Sequence, residues 1–358
     1  MFYVLLMVLG INLFFAYNHF KIIVAPAVLV GGGMFLAALI ASFYYEEWEM
    51  GDMIFLTFLL IGGGTVFFTM CCIFWESVLH MKIRIKPHII HCDFFKEKRM
   101  VIFYTIVNIV TLWSISAKIA FLESLYGSYG LSILMGMSHD DEIYGSGGML
   151  NLPILPRMAG NFSQVICYVS TWLLVIMLKS PRKNKILLFL VLTHFCLCIF
   201  NMMLNGSKGS MLTMPVVLCT IYAFFYYAKK GCFYIKRSFW VLLIVSLCSI
   251  TIIFQGITIL IGRGEDIEKH NSPADFIASY CGAEIKNLDI FLSRHPEGML
   301  AKDFGANTFA AWYREHKEKV NTGTSDIYYE INGYQLGNVC TQFYYYYADF
   351  GVIGVFIM

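Results

Sequence analysis

Charge is what this sequence has least of. Of its 358 residues, 14% are charged and 58% are hydrophobic, where an ordinary soluble domain carries about 25% charged residues. A chain so poor in charge cannot cover a water-facing surface with polar groups, so lipid is the expected solvent for most of it. The formal net charge of +2 exerts no bulk pull on nucleic acid or on an acidic partner. Recognisable enzyme signatures are missing too: there is no Walker loop, dinucleotide fingerprint, GxSxG or HExxH. No CxxC and no zinc-type Cys/His spacing occurs, so neither metal nor cofactor is expected. Most of the eleven cysteines lie in apolar runs (Cys71, Cys72, Cys167, Cys196, Cys198, Cys219 and Cys248), where they read as small hydrophobes. The first apolar run lacks a basic leader and a small-residue cleavage site, so it reads as a retained span.

What is present is a series of apolar runs. A hydrocarbon core about 30 Å thick needs roughly 20 apolar residues in a helix. Such runs occur near 2–17, 22–45, 53–75, 100–122, 158–178, 186–204, 210–228 and 238–261, and a ninth begins near 343 and is still running at Met358. The expectation is an all-α polytopic membrane protein of about nine transmembrane helices, with a C-terminus cut within a span. Basic residues mark the cytoplasmic side. They gather in 76–99 (Lys82, Arg84, Lys86, Lys96, Lys98, Arg99), in 179–185 (Lys179, Arg182, Lys183, Lys185) and in 229–237 (Lys229, Lys230, Lys236, Arg237). Two spans separate each from the next, so all three share a side. The alternate connections are acidic or small: Glu46 to Asp52, Asp140-Asp141-Glu142, and Asn205 to Gly209. The N-terminus and the one large loop, 262–341, therefore face away from the cytoplasm. The domains expected are transmembrane helices one to eight in 1–261, an extracytoplasmic loop in 262–341, and the start of a further span in 342–358. The glycine triplets Gly31-Gly32-Gly33 and Gly62-Gly63-Gly64 read as close helix packing through small residues, or as bent helix beside a substrate path.

The loop is mildly acidic, with eight basic against twelve acidic residues from Arg263 to Glu330. Residues 273–294 place Phe276, Tyr280, Ile285, Leu288 and Leu292 at helical spacing. Ser272 with Asp275 suits an N-cap, with Pro273 at the first helical position. A second patch, 303–316, carries Phe304, Phe309, Trp312 and Tyr313. These aromatics suit stacking on sugar rings or packing at the bilayer edge. Cys281 and Cys340 are the cysteines of this loop, and a bridge between them is conceivable.

Candidate chemistry rests on charges where helices meet the outer interface. Lys208 lies in the turn Asn205-Gly206-Ser207-Lys208-Gly209, whose exposed amides suit an anion. Arg263 lies in Gly262-Arg263-Gly264, and Arg157 follows Pro156. Fixed cations at this depth suit a lipid diphosphate in the outer leaflet, although interfacial Lys and Arg also snorkel to headgroups. Lys118 lies within an apolar run, where a buried cation is a functional candidate by default. Asp349, in Tyr346-Tyr347-Ala348-Asp349-Phe350-Gly351, reads either as the partner of one of these cations or as a substrate ligand.

The segment Gly337-Asn338-Val339-Cys340-Thr341 through Asp349-Phe350-Gly351, with Gly354 completing it, resembles the GN-x-x-T…DFG-x-x-G stretch of bacterial oligosaccharide repeat-unit polymerases, the Wzy-type O-antigen polymerase family. The turn at Lys208 is similar to that family's GSRG turn, with lysine where arginine is more usual. That keeps the charge and loses bidentate phosphate recognition. An Arg-x10-Gly pattern described within such polymerases occurs as Arg294 to Gly305, a spacing that chance also supplies among eight loop cations. Span count and the single large outer loop match the family loosely, and members usually carry one or two further spans after the loop.

The resemblance implies a metal-independent glycosyltransferase of the bacterial inner membrane, inverting or retaining, acting on the outer face. A glycan on undecaprenyl diphosphate is moved to the next lipid-linked repeat unit, as in O-antigen or capsule polysaccharide assembly. Arg263, Lys208, Arg157 and Arg294 are then expected on the diphosphate, and Glu284, His295 or Asp349 as the base. Gly337, Asn338, Thr341, Asp349 and Gly351 are the motif positions. A flippase and a chain-length regulator are the implied protein partners, beside the lipid-linked oligosaccharide and the bilayer. An O-antigen ligase shares donor and topology, and a flippase or other transporter is the alternative of a different class. Transporters usually carry charges deep in several helices or a paired repeat.

Overall fold

The computed structural model of the protein describes residues 1–22, 25–79, 97–144, 152–179, 184–204, 214, 217–218, 220–222, 256, 258–260, 270, 272–301, 303–309, 312–313, 329–337 and 340–357. Among these the chain is mainly helical, with one short hairpin. Five helices are long and apolar enough to cross a membrane: Phe2–Phe20, Phe55–Val78, Lys98–Tyr126, Ile154–Leu178 and Lys185–Met203. The architecture is that of an all-α membrane protein. The runs expected near 22–45 and from 343 form shorter apolar helices, Pro26–Ser42 and Phe343–Ile357. The runs expected at 210–228 and 238–261 lie largely outside the described residues.

The chain divides into two compact units, residues 1–84 with 267–358, and residues 85–266. In the first, α1 (Phe2–Phe20) ends at Lys21, whose left-handed backbone lets its amide close on the Tyr17 carbonyl. Helix α2 (Pro26–Ser42) starts on proline, which is pre-set for the first helical position and has no amide to leave unpaired. Helix α3 runs through Phe55–Phe58, a π-turn at Leu59–Gly63 and Gly64–Leu79. The second glycine triplet is a place of close helix packing. A Cβ on Gly64 would stand 3.2 Å from Val355 and 3.3 Å from the Phe343 ring, and one on Gly62 would stand 3.2 Å from Leu5. The same residues carry the π-turn, the local widening that often marks functional places in helices.

The described parts of 267–341 pack into one core with the helices of this unit. Helices α8 (Pro273–Cys281) and α9 (Ala283–Arg294), and the hairpin of β1 (Tyr329–Ile331) and β2 (Tyr334–Gly337), share one core with α1, α2, α3 and α10 (Phe343–Ile357). Phe2, Leu5 and Leu9 of α1 meet Ile285, Leu288 and Leu292 of α9 and Tyr344 and Tyr347 of α10 in it. Ser272 caps α8 as its spacing suggests, accepting from the Asp275 amide at 3.1 Å, with Pro273 following. Gly282, between α8 and α9, lies so close to α2 that a Cβ would stand 3.1 Å from the Ala41 amide nitrogen.

In the second unit, α4 (Glu97–Tyr126), α6 (Ile154–Lys179) and α7 (Lys185–Met203) pack together. The acidic connection around Asp140 contains a helix the sequence reading passed over, α5 (Leu131–Tyr144). Asn184 caps α7, accepting from the amides of Ile186 and Leu187 at 3.1 Å each. Large apolar side chains such as Ile102, Val165 and Phe189 stay exposed along these helices, as a lipid-facing surface requires.

Candidate functional site

The motif stretch of the first unit is built around a broken helix. Gly351, inside α10, has φ 65° and ψ −157°, a region essentially closed to residues with a Cβ. Loop amides bond to the backbone carbonyls just before this break. Met299 reaches the Tyr347 carbonyl at 3.4 Å, and Leu300 and Ala301 reach that of Ala348 at 2.7 and 3.2 Å. The Tyr347 hydroxyl donates to the carbonyls of His295 (2.9 Å) and Pro296 (2.8 Å). Gly298, itself at φ 64°, lies where a Cβ would come within 2.9 Å of the Gly351 Cα. Segment 295–309 is thus laid across the gap in the helix.

Asp349 secures that segment. Its Oδ1 accepts from the Asn307 amide (3.1 Å) and Nδ2 (2.8 Å), and its Oδ2 from the Thr308 amide (2.6 Å) and hydroxyl (2.7 Å). The sequence reading paired Asp349 with a cation or a substrate, or made it the base. Its partners here are neutral donors from the loop, two on each oxygen. With all four donors drawn from Asn307 and Thr308, its geometry is that of an anchor.

A second carboxylate docks α9 onto α3. Asp289 Oδ1 accepts from the Ile54 amide (3.0 Å) and the Thr57 hydroxyl (2.6 Å), capping α3 from another part of the chain. Lys286, one turn back, sits 3.6 Å from Asp289 Oδ2 and donates to the Glu49 carbonyl at 2.7 Å. Both side chains are buried. Sequence reasoning missed this pair, although two opposite charges three residues apart among Ile285, Leu288 and Leu292 were the available signal. On α8, Asp275 accepts from the Tyr44 hydroxyl at 2.8 Å.

Glu284 is different in kind. It lies half-buried in the first turn of α9, and burial pushes its carboxyl up to about 7. The Cys340 thiol is pushed up to about 12 by burial and by neighbouring Glu284. Cys281 is raised for the same two reasons. Both cysteines are free thiols, so the conceivable bridge between them is not formed. Burial raises Tyr329 as well, while Arg294 opposes that rise. The Arg294 guanidinium stands over the Tyr329 ring, 4.9 Å from its centroid. Glu284, Cys340, Tyr329 and Arg294 are therefore successive electrostatic neighbours. His295 is exposed, with its ring 5.0 Å from that of Phe291.

Of the other expected residues, Gly337 ends β2 at φ 68°. Thr341 is buried before α10, its hydroxyl without a hydrogen-bond partner among the described residues. Arg157 is exposed in the first turn of α6, in the second unit. Lys208, Arg263 and Asn338 lie outside the described residues. Lys118 is buried in α4, its ammonium 3.4 Å from the Asn201 carbonyl oxygen and 3.5 Å from its Oδ1. No group of three or more metal-ligating side chains occurs among the described residues.

The second unit also holds a polar seam the sequence reading passed over. His194 is fully buried, with Nδ1 2.8 Å from Ser170 Oγ and Nε2 3.2 Å from Ser163 Oγ. Ser163 meets Thr111 at 2.6 Å, and Ser170 donates to the Tyr104 hydroxyl at 3.1 Å. The available signal was Ser, Thr and His recurring on apolar helices, which marks helix–helix contact within a bilayer. No known family model, curated protein or solved structure matches the chain.

Proposed function

We propose that this protein is a membrane glycosyltransferase that polymerises undecaprenyl-diphosphate-linked oligosaccharide repeat units on the outer face of a bacterial inner membrane. The observation that carries the reading is Glu284, a half-buried carboxyl pushed up to about 7 in the unit that also holds Arg294 and the GN-x-x-T…DFG-x-x-G stretch. A base works best when its pKa lies near the working pH. In the transfer, an acceptor hydroxyl oxygen bonds to the anomeric carbon of the donor glycan and gives its proton to Glu284. The bond from that carbon to the diphosphate breaks, and undecaprenyl diphosphate leaves with the electron pair. Fixed cations stabilise the leaving diphosphate, and of those expected from the sequence Arg294 lies in the same unit as Glu284. A ligase would share every step but the acceptor.

The second reading, transport of a lipid-linked oligosaccharide, is favoured by buried Lys118 and His194, because ionisable groups within membrane helices commonly line transport paths. One experiment separates the three. The purified protein in nanodiscs receives lipid-linked repeat units, and products are read by mass spectrometry. Polymerisation predicts a ladder of repeat lengths, lost in Glu284→Gln with the substrate still bound. Wild-type turnover in Glu284→Gln removes Glu284 from the reaction. A ladder absent from wild type, with transfer to lipid A or movement across the bilayer instead, selects one of the alternatives.

A further inference from the structure

The segment that Asp349 secures carries an unusual set of side chains. Phe304 is 77% exposed, Met299 64%, Trp312 56% and Phe309 45%. A folded protein in water gains nothing by displaying so many large apolar groups in one short stretch. Three of the polar side chains described in the same stretch are engaged within the protein. Asn307 and Thr308 are committed to Asp349, and the Tyr313 hydroxyl donates to the Phe304 carbonyl at 2.9 Å. Gly305, at φ 66°, lets the chain turn there, where a Cβ would collide with the Phe309 ring at 2.5 Å.

We propose that Met299, Phe304, Phe309 and Trp312 form an interfacial wedge inserted into the lipid leaflet beside α10. Continuity with the lipid-facing surface identifies the occupant. The Phe304 ring sits edge-on to Phe350 of α10, with centroids 5.0 Å apart. From Phe350 the apolar face of the helix continues to Ile353, 64% exposed. Backbone bonds from Leu300 and Ala301 to the Ala348 carbonyl hold the wedge at the level of that helix. A sugar-binding platform would pair its rings with hydroxyl-binding side chains, and here Asn307 and Thr308, beside those rings, are held by Asp349. Met299 and Phe304 offer a sugar no hydrogen bond. Aromatic and apolar groups at the headgroup–acyl boundary suit lipid instead. The wedge fastens the loop to the bilayer by way of the helix break, whatever reaction the protein performs.

Photocrosslinking tests this directly. p-Benzoylphenylalanine replaces Phe304 or Trp312 in the full chain, reconstituted in nanodiscs of phosphatidylethanolamine and phosphatidylglycerol. Ile353 serves as the lipid-facing reference and Ser293, exposed on α9, as the water-facing one. Because an inserted face lies roughly 5–10 Å into the boundary, acyl-chain adducts at positions 304 and 312 are expected at least about tenfold above position 293. Adducts at 304 and 312 no more abundant than at 293, while Ile353 reacts, overturn the wedge. Adducts formed only with the carbohydrate of added lipid-linked oligosaccharide also overturn it, and make the surface a glycan platform.

Discussion

Replacing Asp349 by alanine tests whether it is an anchor or a reacting group. The substitution removes the acceptor of four hydrogen bonds. The Asn307 amide group and the Thr308 hydroxyl can turn towards water, since both are only partly buried. The two backbone amides cannot turn, and each orphaned donor costs about 1–3 kcal/mol. A central estimate of about 4 kcal/mol for the pair corresponds to roughly a thousandfold in the opening equilibrium, at about 1.4 kcal/mol per factor of ten. Asp349→Asn keeps one carbonyl oxygen and loses about one amide, so about 1–3 kcal/mol is expected there. Hydrogen–deuterium exchange in nanodiscs reads this locally. Peptides covering 298–309 should lose protection in the order alanine, then asparagine, then wild type. The α9 peptide 283–294 should hold its wild-type rate, because its cap contacts are elsewhere. Unchanged exchange over 298–309 in Asp349→Ala, with turnover abolished, would falsify the anchor and return Asp349 to the chemistry.

The other expectations concern the docking of α9, the helix break and the titration of Glu284. Asp289→Ala leaves Lys286 a buried cation without its counter-charge and strips the Ile54 amide of its acceptor, a loss of about 3–5 kcal/mol readable as thermal unfolding in detergent. The double change Lys286→Met with Asp289→Asn removes both charges yet keeps an acceptor for Ile54 and Thr57, and should recover most of that loss. Gly351→Ala forces a Cβ into backbone space costing about 1–3 kcal/mol and should lower the melting temperature. Gly33→Ala, where a Cβ meets nothing within 4 Å, should not. Glu284 titrates at about 7 when folded, against an ordinary 4.5. A raised carboxyl means the folded state binds the extra proton between those values, so stability falls as pH rises from about 4.5 to about 7 and levels off above. Glu284→Gln should flatten that slope in melts taken across the window. An equal slope in both proteins would show that Glu284 ionises without penalty.

How much of this was legible in advance depends on the scale of the signal. Apolar runs and the Ser272–Pro273 cap are local, and they came through in five helices of spanning length and in the capped start of α8, while Pro26–Ser42 and Phe343–Ile357 are shorter than the runs that predicted them. The acidic connection at 131–144 did not, because its apolar half, Leu131–Met137, is too short to register as a span and its charged half reads as loop. Asp349 was visible as a costly charge beside a glycine. Its partners were not, since Asn307 and Thr308 lie some forty residues away and nothing in their own spacing points to an acid. The same blindness hid the trans cap of Asp289 on Ile54, which spans 235 residues. A carboxylate within an apolar stretch must be matched by donors, but sequence cannot say whether those donors are cations or amides.

That choice decides what the residue does. A cation partner would have left Asp349 in a charge pair able to exchange with a substrate diphosphate. Amide partners fasten it to the chain, and the amides of 299–301 in the same loop bond to the Tyr347 and Ala348 carbonyls beside the break at Gly351. Aspartate and glycine of the DFG triplet therefore act together on segment 299–309: one supplies the acceptors of a side chain, the other those of an interrupted helix. Under the proposed reading the base is instead Glu284, whose carboxyl burial raises to about 7, so that near neutral pH it can both take up and give back a proton.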